Sequence, residues 1–252
     1  MTANFGHEHP SVVVRAEGAI AEITVGTGAK RNALTADGWT TLERTLSELG
    51  TSSHVRVIVI RGRDQMFCAG SDMTEWIEAE PATVEDSFAR MEAAFQAAEE
   101  CPKPVVAEIH GIAAGAGCQL ALACDLRFMA SSARIGMPIA RLGILTSPAF
   151  AARLSTLAGP ATARRLLYTG ELLDGPSAVA AGLAEQHWPD TELNEHTAAT
   201  LVRIAAQPPE TLRAAKHAVT TALEPTRTAT RHNQHPMTEP SQFHAAISTF
   251  LN

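Results

Sequence analysis

The sequence is poor in the features that mark several large protein classes. Its four cysteines, Cys68, Cys101, Cys118 and Cys124, show no C-x-x-C spacing, which points to reduced core thiols in a cytosolic protein rather than a disulfide framework. Nowhere do about 18 apolar residues run together, as a membrane helix requires. The longest candidate, residues 112–123, contains Gln119 and reads as a core helix. The opening MTANFGHEHP holds no apolar signal region, so a cytoplasmic location and no membrane association are expected. Basic charge is not in surplus either. Lys and Arg number 20 against 27 Asp and Glu, a formal −7, which argues against nucleic acid as a partner but leaves room for a local basic patch to hold an anion. Gly26, Gly28 and Lys30 lack the spacing of a phosphate loop. Ser71 lacks a G-x-S-x-G elbow. His232, His235 and His244 have no cysteine or carboxylate pattern around them, so no metal is expected.

What the chain does have is concentrated in residues 103–125, KPVVAEIHGIAAGAGCQLALACD. Pro102 and Pro104 bracket the start, and Val105, Val106 and Ile109 follow with the β-branching of a strand. Gly111, Gly115 and Gly117 then sit among alanines, and from Ala116 the residues Leu120, Ala123 and Cys124 recur at helical spacing. This pattern predicts a strand, a glycine-rich turn and a buried helix. Such a turn lets a ligand approach the main chain. The first helix amides, unpartnered and at the positive end of the dipole, would stabilise an anionic oxygen without any side chain.

Residues 67–73, FCAGSDM, repeat the device after an apolar strand at 55–61. Upstream, 12–15 and 19–25 read as two strands joined at Glu17 and Gly18. A helix capped by Thr35 or Asp37 runs to Leu49, and residues 91–100 read as an amphipathic helix. Downstream come a strand at 126–130, a short turn around Pro138, and helices at 147–157 and 161–168 broken by Gly159 and Pro160. Residues 169–189 read as a loop, a short helix ended by Gly182 and a strand into Trp188. Helices at 193–206, 209–223 and 242–251 complete the chain, with a polar, proline-bearing loop at 224–240. The recurring strand, turn and helix suggest a spiral of similar layers. Glu108 is read as an ion-pair or hydrogen-bond partner at a layer or subunit boundary, His110 as a structural donor and Asp125 as a cap on neighbouring amides. Arg141 either approaches a ligand or pairs on the surface.

Taken together, KRNAL, FCAGSDM, the central stretch, LGI and the block from TGELL to AGLAEQHWP resemble the enoyl-CoA hydratase/isomerase family, the crotonases. The resemblance implies an α/β fold, a crotonase-like spiral of ββα units over residues 1–189. It also implies a helical C-terminal region, residues 190–252, used for trimer contacts in a homotrimer or dimer of trimers. Family members bind acyl-CoA thioesters and hold the thioester oxygen between two backbone amides. Here those amides are implied to be the N–H groups of Ser71 and Ala116. Ala69, Asp72 and Met73 would line the adenine pocket and Lys30 or Arg31 would lie near the CoA phosphates. Coenzyme A enters with the substrate, so no separate cofactor is implied. Trp76, Ile77, Ile139, Leu142 and Phe150 are expected around the acyl chain.

The departures are as informative. Family hydratases use two glutamates, and their positions here read Gln119 and Ile139. Each general acid or base is worth about 10² to 10⁴ in rate, so ordinary hydration is not expected. Thr146 and Ser147 offer hydroxyls, but no acid, after LGI. Two readings stay open. In one, the chain is an enzyme, a lyase or isomerase working through an enolate-type anion, with Gln119 positioning water or substrate and Ser71 adding a side-chain hydrogen bond. In the other, it is a non-catalytic acyl-CoA-binding protein.

Overall fold

The computed structural model describes residues 9–231 and 236–251. An antiparallel hairpin, β1 (Val12–Glu17) and β2 (Ile20–Val25), opens the chain. Beyond it the main sheet is parallel: β3 (Val57–Gly62), β4 (Val105–Ile109), β6 (Leu126–Ala130) and β9 (Gln186–Trp188) follow in the order β1-β2-β3-β4-β6-β9. A parallel sheet is covered on both faces, and β3 and β4 accordingly read as apolar runs. Every residue of β4 is buried, Glu108 included. That carboxylate accepts from Arg61 Nη2 at 3.1 Å, and Arg61 also pairs with Glu22 at 2.7 Å, so Glu108 makes the expected ion pair, here between adjacent strands of one sheet.

A second, short sheet carries the site. β5 (Ile112–Ala114), β7 (Arg134–Gly136) and β8 (Leu172–Asp174) pair in that order. Single-residue parallel bridges, Cys68 with Ala113 and Leu34 with Ser71, lie beside it. β8 stands where the sequence reads as loop, because Leu172 and Leu173 pair with Gly136 and Ile135.

The helices pack around these sheets. α1 (Ala36–Thr51) starts where Thr35 accepts from the Gly38 amide, the expected cap. α2 (Pro81–Glu100) begins well before residue 91, with Pro81 in the first turn where its missing N–H costs nothing. α3 (Ala116–Ala123) is the buried central helix. α4 (Pro148–Thr169) contains the anticipated break, with Gly159 at φ 75°. α5 (Gly175–Ala180), α6 (Leu193–Ala205), α7 (Pro209–Arg231) and α8 (Pro240–Leu251) follow. The expected loop from residue 224 is therefore helical through Arg231, while His232 and His235 lie outside the described residues. Asp125 accepts from the Val105 amide at 2.7 Å and from Lys216 of α7 at 2.8 Å. His110 sits 2.8 Å from Asn194 Oδ1, a structural contact. All four cysteines are free and buried. Among the described residues no helix is long and apolar enough to cross a membrane.

Candidate functional site

The two glycine turns, far apart in sequence, lie against each other. Cys68 N donates to Ile112 O at 2.9 Å and Ala114 N to Cys68 O at 3.1 Å, while Leu34 N reaches Gly70 O at 2.9 Å and Asp72 N reaches Leu34 O at 2.8 Å. Gly70 has φ 112°, and a Cβ there would stand 3.2 Å from Ala116 N and 3.1 Å from Ala114 O. Only glycine satisfies both the angle and the space. In a parallel bridge the residues flanking Ser71 carry the hydrogen bonds, so the Ser71 N–H turns to the other side. Ala116 is the first residue of α3, and its N–H has no acceptor within the helix. Gly115 before it takes φ 55° and ψ −122°, another conformation reserved for glycine.

A cavity of about 500 Å³ opens onto both turns. Ala69, Gly70 and Ser71 line it from one, Gly115 and Ala116 from the other, and Lys30, Arg31, Asp72 and Met73 join them. The remaining wall is largely apolar, including Trp76, Phe88, Ile139, Leu142, Phe150 and, from α8, Phe250. Of the residues expected around an acyl chain, Ile77 alone is not in this wall and is 45% exposed. The place of Phe250 and Leu251 at the cavity was not legible in the sequence.

The basic loop is bound to the small-residue turn. Lys30 Nζ lies 2.6 Å from Asp72 Oδ2 and donates to Thr74 Oγ1 at 2.9 Å. Burial pushes the Asp72 carboxyl up, but hydrogen bonds from Lys30 and Thr74 outweigh it and hold it below the usual range. Lys30, Arg31 and Asn32 all have positive φ, 49°, 54° and 59°, which is costly for side chains of this size. Asn32 imposes it. Its buried amide accepts from Gly28 N at 2.8 Å and donates to Arg63 O at 2.7 Å and to Met66 O. Sequence reasoning missed that role, although asparagine in a glycine-bearing loop is the signal for a left-handed position. Arg31 O in turn accepts from Ala69 N at 3.0 Å.

Gln119 is not where it was expected to act. Fully buried, it lies outside the cavity wall. Its Nε2 donates to Phe150 O at 3.4 Å, and its Oε1 accepts from Arg153 Nη1 at 3.4 Å. Arg153 is held by Glu92 at 3.0 Å and Glu99 at 2.8 Å and lies 5.3 Å from the Phe95 ring centre. Burial lowers the pKa of this guanidinium, but the two carboxylates outweigh it and leave the pKa raised. No motif in the sequence announces this cluster. Ile139 does line the cavity, 3.9 Å from where a Cβ on Gly115 would sit. The Ser71 hydroxyl also faces the protein, accepting from Trp39 Nε1 at 3.0 Å and contacting Met91 Sδ at 2.7 Å. It is not free to bond a ligand. Arg141 is exposed at the cavity and donates to Pro138 O at 3.3 Å.

Residues 15–249 match the family model described as enoyl-CoA hydratase/isomerase. The chain is 31% identical over 214 residues to the 2,3-dehydroadipyl-CoA hydratase of Escherichia coli, covering 84% of this chain and 83% of that one. It is 27% identical over 215 residues to the short-chain-enoyl-CoA hydratase of Clostridium acetobutylicum, covering 85% and 82%. Among solved structures, Pseudomonas aeruginosa OdaA superimposes with a TM-score of 0.86 at 28% identity, covering 97% of this chain and 100% of that one. The enoyl-CoA hydratase of Bacillus anthracis gives 0.81 at 29% identity, covering 85% and 84%. The α/β fold described above is thus crotonase-like, and the chain belongs to the enoyl-CoA hydratase/isomerase family.

Proposed function

We propose that this protein binds an acyl-CoA thioester and holds its carbonyl oxygen between the N–H groups of Ser71 and Ala116, stabilising an enolate-type anion. The observation that carries the reading is the seating of Gly70 against the first amide of α3, with both turns open to one cavity. Aligned donors of this kind, fixed before the reaction begins, are worth about 10² to 10³ in rate each. Lys30 and Arg31 stand beside the cavity as partners for the CoA phosphates, and Ala69, Asp72 and Met73 as its adenine-side wall. Coenzyme A arrives as part of the substrate, and no further cofactor enters the reading. Residues 190–252 assemble the chain as a homotrimer or dimer of trimers, in the cytoplasm. Ordinary hydration is disfavoured, since Ile139 has no proton to move and Gln119 faces Arg153.

The absence of a free acid or base in the cavity wall, among the described residues, favours a second reading: a non-catalytic acyl-CoA-binding protein. Incubation with enoyl-, dienoyl- and carboxyacyl-CoA thioesters, followed by mass spectrometry, separates the two. Turnover above that of an Ala116→Pro protein supports catalysis. Calorimetric binding without turnover supports the second reading, and no binding of any CoA thioester removes both.

A further inference from the structure

Only three of the 20 basic residues are lysines, Lys30, Lys103 and Lys216, and each ammonium is bonded within the protein. Lys103 donates to the carbonyls of Ser52 and Val55, and Lys216 to Asp125 and to the carbonyls of Ala98 and Lys103. Those two tie segments of the fold together. Lys30 differs, because it lines the cavity between the glycine turns and its side chain is 51% exposed. Its three N–H donors are nonetheless all taken, by Asp72 Oδ1 at 2.9 Å, Asp72 Oδ2 at 2.6 Å and Thr74 Oγ1 at 2.9 Å. In this state it has none to offer a ligand. Arg31, next to it in the same wall, has no side-chain partner among the described residues. An anion arriving at this wall therefore meets one free cation, one engaged cation and the Asp72 carboxylate that repels it.

Moving Lys30 from Asp72 to such an anion costs little on either side. Asp72 keeps the Thr74 amide at 3.1 Å and the Thr74 hydroxyl at 2.7 Å, so its charge stays hydrogen-bonded after Lys30 leaves. The pair given up is half-exposed and weak, whereas a phosphate presents more charge and three strong acceptor oxygens. The main chain stays where it is. Lys30, Arg31 and Asn32 hold positive φ, a conformation that persists only where the surroundings over-determine it. Here the Asn32 amide bonds Gly28 N and Arg63 O, and Arg31 O accepts from Ala69 N. The motion thus belongs to the flexible four-carbon stem of Lys30 alone.

We propose that Asp72 is a displaceable counter-ion: a phosphate of a CoA thioester, landing on Arg31, draws Lys30 off Asp72, and departure of the CoA lets the clasp close again. This rests on the acyl-CoA reading given above. The exchange makes Asp72 and Lys30 a specificity-determining pair, since a thioester on a phosphate-free arm leaves the clasp shut and gains nothing from Lys30. It also limits the grip. What the phosphate gains from Lys30 is only its excess over the Asp72 contact, so the CoA end is held reversibly.

The small number of lysines makes the test direct. The whole chain, labelled with ¹³C at the lysine ε-carbon, should give three NMR signals, and the one missing from Lys30→Gln identifies Lys30. Acetyl-CoA should move that signal in the wild type and leave those of Lys103 and Lys216 in place; S-acetylpantetheine, which has no phosphate, should move none of them. Asp72→Asn keeps an acceptor for Thr74 but not the charge that holds Lys30. Its Lys30 signal should differ from the wild type's in the free proteins and coincide with it in the two acetyl-CoA complexes, where residue 72 no longer touches the ammonium. By calorimetry, Lys30→Gln combined with Asp72→Asn, which leaves net charge unchanged, should lose about fivefold of the preference for acetyl-CoA over S-acetylpantetheine. A Lys30 signal that stays put in the wild type, or that still differs between the two complexes, overturns the exchange while leaving acyl-CoA binding intact. A double variant with the wild-type preference overturns it as well. Absence of acetyl-CoA binding removes the acyl-CoA reading itself and the exchange with it.

Discussion

Replacing Ala116 by proline separates the two tasks of its backbone. As the first residue of α3 it has a helical conformation to keep, and proline's fixed φ suits that position. The residue before a proline is driven out of the α region toward extended angles. Gly115, at φ 55° and ψ −122°, occupies the mirror image of an extended conformation, which glycine alone enters freely. No helix hydrogen bond is lost, because the Ala116 N–H has no acceptor within α3. Stability should therefore change by less than about 1 kcal/mol. The reaction should suffer far more. One of the two donors proposed for the thioester oxygen disappears, a loss of about 2.7 to 4 kcal/mol of transition-state stabilisation. Thermal unfolding followed by circular dichroism, beside turnover across the panel of CoA thioesters, gives both numbers on one sample. A protein that melts with the wild type and turns over at the wild-type rate would refute the placement of the anion at α3.

Four further outcomes follow from named contacts. Gln119→Glu should leave crotonyl-CoA unhydrated, because the new carboxylate faces Arg153 rather than the cavity; loss of the enoyl absorbance on adding the variant would show that reading wrong. Burial pushes the thiols of Cys68, Cys118 and Cys124 up to about 12, and that of Cys101 is raised too, so a colourimetric disulfide reagent at mildly alkaline pH should titrate none in the folded protein and all four after denaturation. The Asp72 carboxyl, held below its unfolded value of about 3.9, adds stability above that pH and loses it as pH falls through the folded value; melting curves taken down the acid range should therefore drop more steeply for the wild type than for Asp72→Asn, and parallel curves would dismiss the Lys30 clasp. Lys216 binds Asp125 at 2.8 Å and the carbonyls of Ala98 and Lys103 at 3.1 Å, so Lys216→Met should lower unfolding free energy by about 2 kcal/mol in urea, and an unchanged midpoint would mean that α7 is held by other contacts.

What the sequence made legible was local. The strand, turn and helix of residues 103–125 follow from β-branched residues, then glycines, then helical spacing, each within a few positions of the next. The same holds for the cap at Thr35 and the break at Gly159. What it hid was set at long range. The direction of Gln119 depends on Phe150 and Arg153 in another helix, and Arg153 depends on Glu92, 61 positions away. The Ser71 hydroxyl is claimed by Trp39, 32 positions earlier. The first half of α2 is obscured in the sequence because Glu85, Asp86 and Arg90 interrupt the apolar pattern, although Val84, Phe88 and Met91 keep to the buried face.

Gln119 and Ile139, which the resemblance sets at the positions of the family's glutamates, are embedded in their surroundings. At residue 119 a glutamate would be a third carboxylate around one guanidinium already shared by Glu92 and Glu99. Its charge would be buried without a partner of its own, a cost that a neutral amide avoids while keeping the bond to Arg153. Residue 139 stands in a cavity wall shared with Trp76, Phe88, Leu142 and Phe150, which offer a carboxylate almost no hydrogen bonds; an acid there would be driven toward its protonated form. A glutamate at 119 thus changes the charge balance of a packed cluster, and one at 139 places an acid in a largely apolar wall.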